Sequence, residues 1–100
     1  MEIVKDIENG DYVFALKGKF TFSDNAAFRT VLGRIPDSAI RQIIFDVKDL
    51  EFVDSAALGM FLLAHDEAVK HKKTVIIRGA QGQVKKMISM ARFENYFTIT

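Results

Sequence analysis

The chain has 100 residues, enough for one domain spanning 1–100, and its 49% of hydrophobic residues can build a core, although a domain this small buries only about two thirds of its unfolded surface. The 14 basic and 13 acidic residues leave a net charge of +1, which is no electrostatic footprint for nucleic acid or an anionic membrane. There is no cysteine, so disulfides, thiolate zinc sites and cysteine nucleophiles are excluded, and a reducing cytoplasm is an acceptable home.

Residues 2–8 read as a strand of imperfect alternation, and Asn9-Gly10 supplies the positive-φ pair of a tight hairpin. Asp11 to Lys17 is the return strand, with Tyr12, Phe14 and Leu16 on one face and Val13, Ala15 and Lys17 on the other; Gly18 ends it. Lys19 to Phe22 then form a connection. Ser23 is a suitable helix N-cap, with Asp24 in the first turn, and a helix follows to about Arg34. Ala27, Phe28, Val31, Leu32 and Ile35 make its expected core face, and Pro36-Asp37-Ser38 breaks it.

Arg41 to Lys48 is a strand apolar on both faces at Ile43, Ile44 and Phe45, which places it in the middle of a sheet. Asp49 to Asp54 reads as a loop with three acids (Asp49, Glu51, Asp54) and the anchors Leu50, Phe52 and Val53. A helix runs from about Ser55 to Lys70, apolar nearly all round at first, so its N-terminal half is expected to be buried. Lys70, His71, Lys72 and Lys73 form the one basic cluster, read as cations that complement a helix C-terminus in preference to a phosphate-binding patch. A β-branched strand from Lys73 to Arg78 ends at Gly79. A last helix, about Gln83 to Arg92, turns Val84, Met87, Ile88 and Ala91 inward, with Met90 and Phe93 a candidate exposed patch. Tyr96 to Thr100 is a candidate final short strand.

The order β-β-α-β-α-β-α-(β) implies an α/β fold, a mixed sheet of four to five strands with helices packed on it. The N-terminus, Met1 to Lys5, does not read as a signal peptide, and the longest apolar run, Ala56 to Ala64, falls short of the roughly 20 residues a bilayer span needs. A soluble, intracellular protein is expected.

Chemistry concentrates at Phe52-Val53-Asp54-Ser55-Ala56-Ala57-Leu58-Gly59-Met60, where loop gives way to helix. Asp54 and Ser55 are both good N-cap residues. A helix N-terminus also accommodates negative charge, so a phosphate on Ser55 would be tolerated there. On chemistry alone the segment reads as an ordinary helix start.

Asp54-Ser55-Ala56-Ala57-Leu58-Gly59, preceded by Val47-Lys48-Asp49-Leu50-Glu51-Phe52-Val53, resembles the signature of the STAS-domain anti-sigma factor antagonists, or anti-anti-sigma factors. The similarity extends over essentially the whole chain. It implies a bacterial cytoplasmic phosphoprotein that switches partners to regulate transcription. The serine after the signature aspartate, here Ser55, would be the phosphorylated residue. Asp54, Ala56, Ala57, Leu58 and Gly59 would form the phosphoacceptor loop and partner-binding surface, together with Thr21, Phe22 and Ser23. The implied partners are an anti-sigma factor with a GHKL-type serine kinase domain and a PP2C-type phosphatase, with no nucleic acid, membrane, metal or cofactor. The unphosphorylated form would bind the anti-sigma factor and free the sigma factor. Ala56-Ala57 departs from the usual Ser/Thr-Gly, and Lys19-Phe20-Thr21 from the usual acidic, apolar, aspartate run. Ala91-Arg92-Phe93 stands where a Gly-Leu pair is common.

Rival readings are weaker. Ser55 lacks a Gly-x-Ser-x-Gly elbow, and His65, ten residues on in the same helix, would lie about 15 Å away, so a nucleophilic serine enzyme is not expected. His65 and His71 do not have metal-ligand spacing. Gly79-Ala80-Gln81-Gly82-Gln83 lacks a P-loop lysine and reads as a turn. STAS domains also serve as subunits of lipid-transport ABC complexes and as regulators of anion transporters; the free domain argues against the transporter regulator, and the intact Ser55 after Asp54 favours the phospho-switch over the ABC subunit.

Overall fold

The computed structural model describes all of residues 1–100. Strand β1 (Glu2–Glu8) and strand β2 (Asp11–Phe20) form an antiparallel hairpin in which Glu8 faces Asp11 across Asn9-Gly10. Both turn residues take positive φ, 54° and 82°, as a two-residue turn matched to strand twist requires. After a short 3-10 turn (Phe22–Asp24) come helix α1 (Asn25–Leu32), strand β3 (Gln42–Asp46), strand β4 (Leu50–Val53) and helix α2 (Ser55–Lys70). Strand β5 (Thr74–Arg78), helix α3 (Gly82–Met90), a second 3-10 turn (Phe93–Asn95) and strand β6 (Thr98–Ile99) complete the chain.

The strands lie in the order β1-β2-β3-β5-β6. Only the hairpin is antiparallel; β2, β3, β5 and β6 run parallel, joined by helical crossovers. The central position expected for the Ile43–Phe45 strand is what β3 occupies.

Several sequence readings need correction. β2 does not stop at Gly18. It passes through that glycine at φ 91°, with a register irregularity between Gly18 and Lys19, and its end pairs in parallel with β4. The 49–54 segment is therefore largely a strand: Leu50 and Val53 are buried beside β2, while Phe52 is exposed. The helical entry is capped at Thr21, not Ser23: the Thr21 N–H donates to Asp24 Oδ2 at 2.9 Å, one arm of a capping box. Ala27 is exposed; Phe28, Val31 and Ile35 carry the core face of this region. Helix α2 buries one stripe, Ala57, Met60, Phe61, Ala64 and Ala68, rather than its whole first half, in which Ser55 and Gly59 are exposed; beyond it Leu63 is 53% exposed. The proposed Met90–Phe93 patch does not exist as a pair, because Phe93 is buried while Met90 is exposed.

A single core lies on the face of the sheet that carries Tyr12, Phe14, Leu16, Ile43, Phe45, Val75 and Ile77. Phe61 of α2 stands at its centre, edge-on to Phe20, Phe28, Phe45 and Phe93 with ring centroids 5.3–6.3 Å away. Such contacts add to the roughly 1.5–3 kcal/mol expected from burying each large apolar side chain. The three alanines of the α2 stripe leave room for these rings by bringing the helix backbone close to the sheet. The opposite face has no helix over it. Val13 and Ile44 are buried there all the same, and Arg78 lies on the same face, reaching Asp46 at 3.3 Å and Glu8 at 3.7 Å.

Candidate functional site

The long β2 delivers the site. Its last residue, Phe20, pairs with Val53, so the turn after β2 and the turn after β4 emerge side by side at one end of the sheet. The Asp54 N–H bonds the Phe20 carbonyl at 3.2 Å, which continues the ladder by one step. The chain then turns into α2.

Asp54 is the junction. As N-cap of α2 it has extended backbone angles, and its Oδ1 accepts the Ala57 N–H at 2.8 Å. Its Oδ2 accepts the Phe22 N–H at 3.0 Å, from the turn 32 residues earlier in the chain. One carboxylate thus caps the helix and ties the Thr21–Ser23 turn to it. Ionised acceptors of this kind form the stronger class of hydrogen bond.

Ser55 is the first helical residue and is exposed. The intrahelical ladder starts with the Leu58 N–H on the Asp54 carbonyl, so the N–H groups of Ser55 and Ala56 precede it at the positive end of the helix dipole. His65 lies ten residues further along the same unbroken helix, about 15 Å from Ser55, with its Nδ1 3.4 Å from Asp66. No cluster of three or more His, Cys, Asp or Glu residues is placed to hold a metal.

The remaining residues of the expected surface divide. Thr21, Phe22 and Ser23 do stand beside Ser55; Phe22 is 69% exposed, and the Thr21 and Ser23 hydroxyls lie 2.9 Å apart. Gly59 is exposed and Ala56 and Leu58 are half-buried. Ala57 is fully buried, and its part in the site is confined to its backbone N–H. Its methyl belongs to the core stripe of α2, which removes it from any contact surface.

Sequence reasoning missed Gln83. From the first turn of α3 its carboxamide clamps Val53, accepting the Val53 N–H at 3.0 Å and donating to the Val53 carbonyl at 2.9 Å. The side chain pairs with β4 as another strand would, and it fixes the residue just before Asp54. Nothing local marks this glutamine, because its partner is 30 residues away. Leu63, exposed two turns beyond Ser55, was also missed, because an apolar residue in an apolar helix reads as core.

The family model of the STAS domain matches residues 2–100, and the chain belongs to that family. A STAS-domain containing protein of Pseudomonas aeruginosa (strain UCBPP-PA14) is 28% identical over 85 residues, 85% of this chain and 83% of the relative. Among solved structures, a putative anti-sigma factor antagonist from Thermotoga maritima superposes with a TM-score of 0.86 at 12% identity, covering 97% of this chain and 84% of that one. The anti-sigma factor antagonist SpoIIAA in its unphosphorylated form gives 0.79 at 18% identity, over 99% of this chain and 87% of that one. The phosphorylated form of the Bacillus SpoIIAA gives 0.76 at 17% identity, over 99% and 91%. At these identities the structures establish the shared fold.

No helix is long and apolar enough to cross a membrane.

Proposed function

We propose that the protein is an anti-sigma factor antagonist whose binding is switched off by phosphorylation of Ser55. The observation that carries this reading is an exposed serine at the first position of α2, immediately after the carboxylate that ties two loops into one surface. The existence of SpoIIAA, an antagonist of the same fold, in unphosphorylated and phosphorylated forms supports it.

In the unphosphorylated state the surface around Ser55 presents an aromatic ring from Phe22, the flat exposed strip at Gly59 and the apolar Leu63. A partner protein docks there: an anti-sigma factor with a GHKL-type serine kinase domain, whose sigma factor is thereby released. Phosphate transfer to the Ser55 hydroxyl places about −1.5 to −2 charges beside the Asp54 carboxylate. The helix N-terminus tolerates the group, so the fold stays intact. The docked partner, however, must now desolvate a dianion, and each 1.4 kcal/mol lost weakens binding about tenfold. A PP2C-type phosphatase restores the binding state. The protein acts as a substrate and binding module in this cycle, in the cytoplasm.

The test is to recover the protein from cells with its partners and to map phosphate by mass spectrometry. Phosphate on Ser55, with a serine kinase captured by the unphosphorylated form only, supports the switch. Ser55→Ala should retain the partner and Ser55→Asp should weaken it by at least about tenfold. An unmodified Ser55 in every condition, with an ABC transporter captured instead, would refute the switch and leave the fold untouched.

A further inference from the structure

At the far end of α2, some 24 Å along the helix from Ser55, a cleft of about 410 Å³ opens between the helix C-terminus and the connection from α1 to β3. Arg41, His71, Lys72 and Lys73 line it, with the Ser38 hydroxyl, and no carboxylate does. Lys70 and His71 lean back on Glu67, at 3.6 Å and 3.3 Å. Lys72 lies past the helix at φ 58° and its side chain has neither a hydrogen bond nor an ion pair.

The other two cations are held by backbone carbonyls. Lys73 Nζ donates to the carbonyls of Ile35 and Asp37, and Arg41 Nη2 donates to the Asn9 carbonyl at 2.8 Å. Neutral carbonyls orient an ammonium or guanidinium and leave its charge in place. The carboxylate of Asp37, in the same connection, accepts the Ala39 N–H at 3.0 Å and the Tyr12 hydroxyl at 2.8 Å, and the Lys73 ammonium acts on it through space without a direct ion pair. Arg41, Lys72 and Lys73 therefore meet in one concavity with no carboxylate within ion-pair distance of any of them. The negative end of the α2 dipole opposes this field with only about half a charge.

We propose that this cleft binds a small multiply charged anion of the oligophosphate class. Lys73 has Asp37 near it, so one negative charge on the ligand would still leave either Arg41 or Lys72 unmatched. A ligand with two phosphoryl groups spans the cleft, with the Arg41 fork and the Lys72 ammonium on its oxygens and the Ser38 hydroxyl as a further donor. The site is open, so binding weakens as salt rises. It is remote from Ser55 and does not rest on the switch.

The experiment is an amide chemical-shift titration of the full chain with inorganic pyrophosphate at constant ionic strength, with orthophosphate as comparison. Shifts should be confined to residues 38–41 and 71–73, and pyrophosphate should bind about tenfold more tightly than orthophosphate. Lys72→Gln, which alters an unpartnered side chain and leaves the fold alone, should weaken binding severalfold, and adding Arg41→Gln should abolish it. The proposal is overturned by no localised shift up to about 10 mM pyrophosphate. Undiminished binding by Lys72→Gln would equally overturn it, as would binding to phosphatidylglycerol vesicles without a pyrophosphate response.

Discussion

Replacing Asp54 by asparagine and by alanine separates its two duties. The carboxylate accepts one N–H from its own helix, Ala57 at 2.8 Å, and one from the neighbouring turn, Phe22 at 3.0 Å. Asparagine keeps one acceptor oxygen and can still cap the helix, but its amide NH₂ would then face the Phe22 N–H, donor against donor. Alanine loses both bonds. An N-cap residue is worth about 1 kcal/mol, and a hydrogen bond to a charged group about 1.5–3 kcal/mol before discount for partial exposure. Asp54→Asn should therefore cost about 1–1.5 kcal/mol and Asp54→Ala about 2–3 kcal/mol. For a chain of this length the asparagine variant should melt about 4–12 °C lower, and the alanine variant about twice as far down. Urea unfolding gives the energies, and amide hydrogen exchange locates them. The Phe22 amide should lose protection in both variants and the Ala57 amide only in the alanine variant. Equal destabilisation by the two substitutions, or a Phe22 amide still protected in Asp54→Asn, would refute the idea that one carboxylate joins the two loops.

The Gln83 clamp needs both ends of a carboxamide, so Gln83→Glu should destabilise by about 1–2 kcal/mol, much as Gln83→Ala does, because a carboxylate cannot donate to the Val53 carbonyl; urea midpoints decide. Arg92 holds a left-handed conformation, φ 55° and ψ 47°, just after α3, so Arg92→Gly should raise stability by about 1 kcal/mol, read as a higher melting temperature. The Ala39 N–H and then the Tyr12 hydroxyl hold the Asp37 carboxyl below its ordinary value of 3.8. Stability from this group is thus present above about that pH and is lost as pH falls through the lower folded-state value. Asp37→Asn should accordingly flatten the acid limb of a stability–pH curve below pH 3.8, and an unchanged limb would show that the contact is not felt in solution.

Local chemistry made much of this structure readable. Asn9-Gly10 announced the hairpin, the doubly apolar Ile43–Phe45 the central strand, and Asp54-Ser55 the start of α2, because in each case the deciding interaction spans only a few residues. The failures share the opposite cause. Gly18 looks like a terminator, since glycine weakens strands, yet it lets β2 pass a change of partner from β3 to β4 at a φ of 91°. Ser23 and Thr21 compete as caps on equal local terms, and Asp24 settles the matter by reaching back to the Thr21 N–H. Gly59 and Ala27 were misplaced because periodicity tells which residues share a stripe but not how wide a stripe the sheet covers. Arg92 takes a left-handed backbone at φ 55°, which nothing in the local residue pattern announces.

Under the proposed switch, the ties around Asp54 also determine what a kinase that modifies Ser55 could recognise. Phe22, Val53 to Ser55, and Gln83 meet through bonds across 32 and 30 positions of chain, and none of these bonds exists until β2 has met β4 and α3 has closed over it. The serine is thus displayed as part of a conformational epitope and not a linear one. A synthetic peptide spanning residues 49–62 would contain every residue of the signature and none of this geometry, and an unfolded chain would be equally illegible.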